Sequence, residues 1–249
     1  MTSMAERTQL TVQRMAAALA EQLPQLLQAA SRTSRRALGE FINLCEELLT
    51  ALDSPTRTTP DTLAQFVAAR DMDVMHHDEI VAAIAGGESL ATLRRQAENA
   101  SSQAALALTR QVLPPAVTTS NGPVHLPDLL RTFTVEAALL ADHCSTTLDP
   151  AGTAQCIRAL TAVLGERFPG HTIEVRIPPF AAVQLGSLSA GPSHHRGTPP
   201  NVVETDTATF WALSIGTLSW TQAREAHRLR VSGVHAADVA QMLPVVRRR

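Results

Sequence analysis

Any chemistry in this chain has to come from a restricted set of side chains. All 21 basic residues among its 249 are arginine, and tyrosine is absent as well. Schiff-base catalysis, a P-loop lysine and a tyrosine acid or base are therefore excluded. The densest run of metal-ligating types is His76-His77-Asp78-Glu79. Adjacent helical residues point about 100° apart, so the two imidazoles cannot share an ion as an i, i+4 pair can, and the run reads as a solvated helix face. Glu136 and His143 do share a face, but two helical turns part them by about 10 Å, too far for common ligation. A buried Glu136 would instead need a cation, a hydrogen bond or a proton, because an unpaired core carboxylate is strongly disfavoured. Cys45, Cys144 and Cys156 are scattered without a Cys-x-x-Cys pair, which implies buried free thiols in a reducing compartment. No nucleophile elbow, glycine-rich phosphate loop or Ser/His/Asp or Cys/His grouping is present. The residues name no catalytic group, no metal ligand and no cofactor.

The elements that would position a site fall into two units, as the length suggests. Residues 1–148 carry 11 arginines against 16 acids and residues 149–249 carry 10 against 7, so charge shifts sign between them. With a net charge of −2 and a basic run only at Arg247-Arg248-Arg249, nucleic acid is not an expected partner. Neither an apolar leader nor an 18-residue apolar run occurs, so neither secretion nor stable membrane insertion is expected, and the cytoplasm is. A homo-oligomer stays open.

In the first unit the spacing predicts a helix over 1–31 that breaks near Pro24. A second follows from Ser34, with Leu38, Phe41, Ile42, Cys45, Leu48, Leu49 and Leu52 on one stripe. Thr59 and Pro60 read as the N-cap and first residue of a third, which carries Leu63, Phe66, Val67, Val74, Ile80 and Ile84 to Gly86-Gly87. A fourth runs from Leu90 to Val112, residues 114–125 form a loop, and a last helix places Leu130, Phe133, Ala137, Leu140 and Cys144 inward. The expectation is an up-and-down bundle. After Leu148 the period changes. Asp149-Pro150 opens a helix, Thr172–Ile177 and Phe180–Leu185 alternate as strands around Pro178-Pro179, and Gly186–Pro200 is a long loop. Asn201–Thr205 is a strand, Asp206 caps a helix, Ser219 and Gln222 form a capping box, Arg228–Ser232 is a strand, and Ala236–Leu243 closes as a helix.

Two stretches of this second half carry a resemblance. Asp206 followed by Phe210-Trp211-Ala212-Leu213-Ser214-Ile215-Gly216-Thr217-Leu218, and then Arg228-Leu229-Arg230-Val231-Ser232-Gly233, resembles the sterol carrier protein 2 family. Arg176-Ile177-Pro178-Pro179-Phe180 with His195-Arg196-Gly197-Thr198-Pro199-Pro200-Asn201-Val202-Val203-Glu204-Thr205-Asp206 resembles that family's actinobacterial orthologue branch. The likeness spans roughly residues 150–246. It implies a twisted sheet packed by helices around an apolar tunnel for sterols, fatty acids or acyl chains. Residues 34–148 resemble the N-terminal helical domain of mycothiol-dependent maleylpyruvate isomerases, a metal-binding bundle of the DNA-damage-inducible B type. That resemblance implies a Glu-x-x-x-His metal pair on the last bundle helix. Here Glu136 is matched, but Leu140 stands in place of the histidine, and the Gln65-Phe66-Val67 stretch offers none either.

The fold class expected is thus α+β: a helical bundle over 1–148 followed by a small sterol-carrier-like domain over 149–249 with a mainly antiparallel sheet. The resemblance implies a non-enzymatic carrier for a lipid or other apolar small molecule. Phe180, Arg196, Asn201, Val203, Phe210, Trp211 and Trp220 are the expected ligand contacts. Arg196 could meet a carboxylate or phosphate head group or pair with Glu204 or Asp206, and Asn201 could satisfy backbone beside the prolines. The alternatives are a mycothiol-dependent isomerase or transferase, which would need the bundle metal, and a scaffold whose ligand sites are lost.

Overall fold

The computed structural model describes residues 4–87, 89–188 and 201–247. The chain is α+β and parts into two compact units, Met1–Cys156 and Ile157–Arg248. The division falls inside a helix, a few residues past the change of period read from the sequence.

The first unit contains α1 (Met4–Thr33), α2 (Arg35–Leu52), α3 (Leu63–Met72), α4 (Val74–Gly87), α5 (Leu90–Leu108) and α6 (Leu126–His143). Helix α2 is its centre, neighbouring α1, α4, α5 and α6. Ser34 caps it by accepting the Ala37 N–H at 3.0 Å, and the predicted stripe of Leu38, Phe41, Ile42, Cys45 and Leu48 is buried. Gly39 lets α4 approach closely, since a Cβ there would meet the Val81 carbonyl at 3.0 Å. Core residues Leu23, Leu93, Phe133 and Ala137 come from α1, α5 and α6.

Four expectations are corrected here. Helix α1 continues through Pro24. Proline removes one intrahelical bond, but burial of Leu19, Leu23, Leu26 and Ala30 outweighs that loss. The third helix begins later, because Thr62 rather than Thr59 forms a capping box, with Gln65, and it is split at Asp73 into α3 and α4. Helix α5 ends at Leu108, where the Thr109 hydroxyl bonds the Ala105 and Leu106 carbonyls, leaving Val112 exposed beyond it. Residues 114–125 are not an unstructured loop but contain a hairpin of β1 (Ala116–Thr119) and β2 (Gly122–His125). It turns at Ser120-Asn121, and Gly122 supplies the backbone at φ +116.

The second unit is built on α7 (Pro150–Arg167), whose first turn belongs to the bundle unit and is capped by the Asp149 carboxylate on the Gly152 N–H at 2.7 Å. Strands β3 (Pro169–Ile177), β4 (Ala181–Leu185), β5 (Asn201–Thr205) and β6 (Leu229–Ser232) follow, with α8 (Thr207–Ser214) and α9 (Trp220–Glu225) between the last two. The sheet order is β4-β3-β5-β6, with β3 and β5 parallel and the other two pairs antiparallel. Alternation sorts its faces: Ile173, Val175, Ile177 and Val203 are buried, whereas Glu174, Arg176 and Glu204 project from the opposite face. Helix α7 packs on β4, where a Cβ at Gly165 would reach Val183 Cγ2 at 3.1 Å. The closing helix is a 3₁₀ segment, Ala236–Gln241, rather than an α-helix. Its buried residues Ala236 and Val239, with Met242 just past its end, recur every three positions, which is the 3₁₀ period. Among the described residues, no helix is long and apolar enough to cross a membrane.

Candidate functional site

On the second unit, the β3–β4 connection borders a cavity of about 430 Å³ that is broadly open to solvent and lined by Arg176, Pro178, Pro179, Phe180, Ala181, Ala182 and Glu204. Strand register explains the grouping, because Arg176 lies opposite Ala182 on β4 and opposite Glu204 on β5. The two prolines and the Phe180 N–H, bonded to the Ile177 carbonyl at 2.9 Å, shape the bend. Arg176 donates from Nε to Glu174 Oε2 at 2.9 Å, and Arg230 on β6 reaches Glu204 at 3.3 Å. The result is an apolar rim over a floor of alternating charges.

In the bundle unit, α2, α3, α6 and the hairpin converge on Arg70, whose side chain is only 4% exposed. Its Nη2 donates to Glu47 Oε2 at 2.9 Å, Nε to Glu136 Oε1 at 3.3 Å and Nη1 to Asn121 Oδ1 at 3.2 Å. The guanidinium also lies over the Phe133 ring, 5.3 Å from its centroid. Asn121 passes the contact on, donating to Asp73 at 3.0 Å, and Asn43 donates to the other oxygen of Glu47 at 3.1 Å. Burial works against the charge on Arg70, yet Glu136 and Glu47 hold its pKa above the ordinary arginine value. The buried carboxylate at 136 therefore has its cation, an arginine.

That pairing decides whether the bundle fits the metal its resemblance implies. Glu136 binds a guanidinium, while Leu140 and Phe66 are buried in the core. His143 turns instead to Glu40, with Nδ1 2.7 Å from Oε2. Among the described residues, no three His, Cys, Asp or Glu side chains are grouped to hold a metal ion. The donor set does not fit a metal centre. Of the run at 76–79, His76 and Glu79 are exposed as expected, but Asp78 accepts from Arg36 at 2.6 Å and His77 Nδ1 lies 3.3 Å from Asn43. Cys45 and Cys156 are buried, and desolvation pushes the Cys45 thiol up to about 12.

Residues 149–245 match the family of bacterial SCP orthologues. No curated protein matches the chain. Among solved structures, a mycothiol-dependent maleylpyruvate isomerase is similar at 14% identity, over 92% of this chain and 94% of that one, with a TM-score of 0.45. A point mutant of mycothiol-dependent maleylpyruvate isomerase gives the same identity and coverages, 14%, 92% and 94%, with a TM-score of 0.42.

Within the SCP-matched segment, Phe180 is the one expected contact among the described residues that lines the open cavity. Val203 alternates with Glu204 and is buried on the other face of the sheet. Phe210 is buried on α8, and Trp211 and Trp220 are half-buried on α8 and α9. Asn201 is 2% exposed, and its amide is committed to backbone: Nδ2 donates to the Thr172 carbonyl and Oδ1 accepts the His235 N–H, each at 2.9 Å. Arg196 lies outside the described residues. Of the acids considered as its partners, Glu204 accepts Arg230 and Asp206 caps α8 on the Thr209 N–H at 2.8 Å. The cavity's other wall residues were missed, although Arg176-Ile177-Pro178-Pro179-Phe180 was singled out as a motif. Arg70 was missed too. Its signal was spacing, since Leu63, Phe66, Val67 and Arg70 fall on one helical face and a lone arginine on a buried stripe needs partners.

Proposed function

We propose that the protein is a non-enzymatic binding protein whose C-terminal unit carries a lipid or other apolar small molecule. The observation that carries this reading is the match of residues 149–245 to bacterial SCP orthologues. It is supported by the cavity of about 430 Å³, whose wall of Pro178, Pro179, Phe180, Ala181 and Ala182 is apolar while Arg176 and Glu204 supply one charge of each sign. Each CH₂ of an acyl chain buried in such a unit contributes about 0.8 kcal/mol, so useful affinity needs few polar contacts. Phe180 then serves as a direct contact, and Val203 and Phe210 act from the buried side of the sheet. Asn201 acts by holding the start of β5, not by meeting ligand. An isomerase of the kind named for the solved neighbours is disfavoured by the Arg70–Glu136 pair, which occupies the carboxylate such a bundle would offer to a metal.

Native mass spectrometry of the purified full chain, followed by denaturation, tests the proposal. A released lipid or acyl species of defined mass is expected. A bare polypeptide mass that persists after incubation with fatty acid would overturn it.

A further inference from the structure

Among the described residues, two buried side-chain atoms lack a hydrogen-bond partner, Gln155 Oε1 in the bundle unit and Ser214 Oγ in the second unit. The two are not equivalent. Gln155 is only half-buried as a residue, whereas Ser214 is 0% exposed. We propose that the Ser214 hydroxyl is the polar anchor for the head group of the carried ligand, and that this head group is an uncharged alcohol. The inference rests on the carrier reading and names the ligand class for it.

Helix geometry does not force the hydroxyl to go without a partner. Buried helical hydroxyls elsewhere in the chain fold back on the carbonyl four residues earlier, Thr134 on Leu130 at 2.8 Å and Thr161 on Ile157 at 3.0 Å. The Ser214 hydroxyl makes no such bond. An unmet buried hydroxyl opposes folding, and native interiors seldom keep one without a use. Alanine at this position would avoid that penalty and favour the helix.

The surroundings select the partner. The buried face of α8 is Thr209, Phe210, Leu213 and Ser214. Phe210, an expected ligand contact, lies one turn before Ser214 and therefore beside it on that face. Thr209 is already bonded, its hydroxyl donating to Asp206 at 2.8 Å. This face carries no cation, so a carboxylate buried against it would lack a counter-charge. An alcohol can both donate to and accept from a serine hydroxyl and brings no charge, while its apolar tail suits Phe210 and Leu213. The element that must move to admit it is the C-terminal segment, whose Val245 and Val246 N–H groups donate to the Ser214 carbonyl at 2.8 and 3.1 Å.

1-Decanol and decanoate, equal in chain length, are the probes, with binding read by the tryptophan emission of the full chain at pH 8. 1-Decanol should bind the parent about tenfold more tightly than decanoate. Ser214→Ala should abolish that preference, weakening 1-decanol about tenfold and leaving decanoate unchanged. Without ligand this variant should melt no lower than the parent, since it removes an unmet polar group. Equal affinity of the parent for both probes, or unchanged 1-decanol affinity in Ser214→Ala, would overturn the anchor and leave the carrier reading standing. A ligand-free Ser214→Ala that melts several degrees lower would show the hydroxyl bonded within the protein and overturn the anchor too. Binding of neither probe to the parent would overturn the carrier reading and the anchor together.

Discussion

The two units set the same side-chain types in opposite surroundings. In the bundle, Arg70 is buried at 4% exposure and joins Glu47, Glu136 and Asn121 from three different elements. On the sheet, Arg230 is 86% exposed and reaches Glu204 across one strand pair at 3.3 Å. Both would be counted as salt bridges, yet their energetics differ in kind. A buried cation cannot lose a partner without leaving uncompensated charge in a poorly solvated place, whereas water replaces the partner of an exposed one. The bundle arginine is therefore a fastener, and the sheet arginine is an exposed surface charge.

The sharpest way to break this contrast is Arg70→Ala. It leaves Glu47 and Glu136 facing each other without their cation and removes the face that covers Phe133. Breaking a buried pair in this way costs about 3–5 kcal/mol. Urea unfolding followed by circular dichroism should show a midpoint far below that of the parent chain. A loss under about 1 kcal/mol would mean that water already solvates the two carboxylates, and the network would then belong with the surface pairs.

The contrast also explains what was legible in the chain itself. Periodicity alone locates the stripe of α2 and the alternating β3 and β5, because one buried face imposes a local repeat. Caps at Asp149, Asp206 and Ser219 are legible for the same reason, each acting within three residues of its helix. The Glu136 partner is not local: Arg70 is 66 positions away, and only folding brings them together. The split at Asp73 was hidden because Val74 and Ile80 continue an apolar pattern across it. The cavity beside Phe180 depends on strand register, which places Glu204 opposite Arg176 and which no spacing within either strand specifies.

Asn201 offers the intermediate case, a buried group that is polar but uncharged. Asn201→Ala would strip the Thr172 carbonyl and the His235 N–H of their shared partner at the start of β5. Orphaning a buried polar group costs about 1–3 kcal/mol, less than an orphaned charge. Thermal unfolding should therefore place this variant between the parent and Arg70→Ala. Amide exchange should speed up along β5 and its neighbour β3, with the bundle helices unchanged. Loss of lipid release in native mass spectra without any drop in stability would instead assign Asn201 a direct ligand role.

Arg230→Ala is expected to have the smallest effect. The side chain stands on the water-facing side of β6, and its contact with Glu204 is long and single. Replacing it should change stability by no more than about 0.5 kcal/mol, and raising the salt concentration should shrink even that. The substitution sharpens the comparison through a different readout. Without Arg230, Glu204 keeps its place opposite Arg176 in the strand register but loses its cross-strand cation, so the cavity beside Phe180 becomes more negative. A carried ligand with an anionic head group should then bind more weakly to Arg230→Ala than to the parent, while a neutral one should bind alike. A large stability loss in this variant would show that the sheet's exposed charges act as fasteners too, and the distinction between the two units would fail.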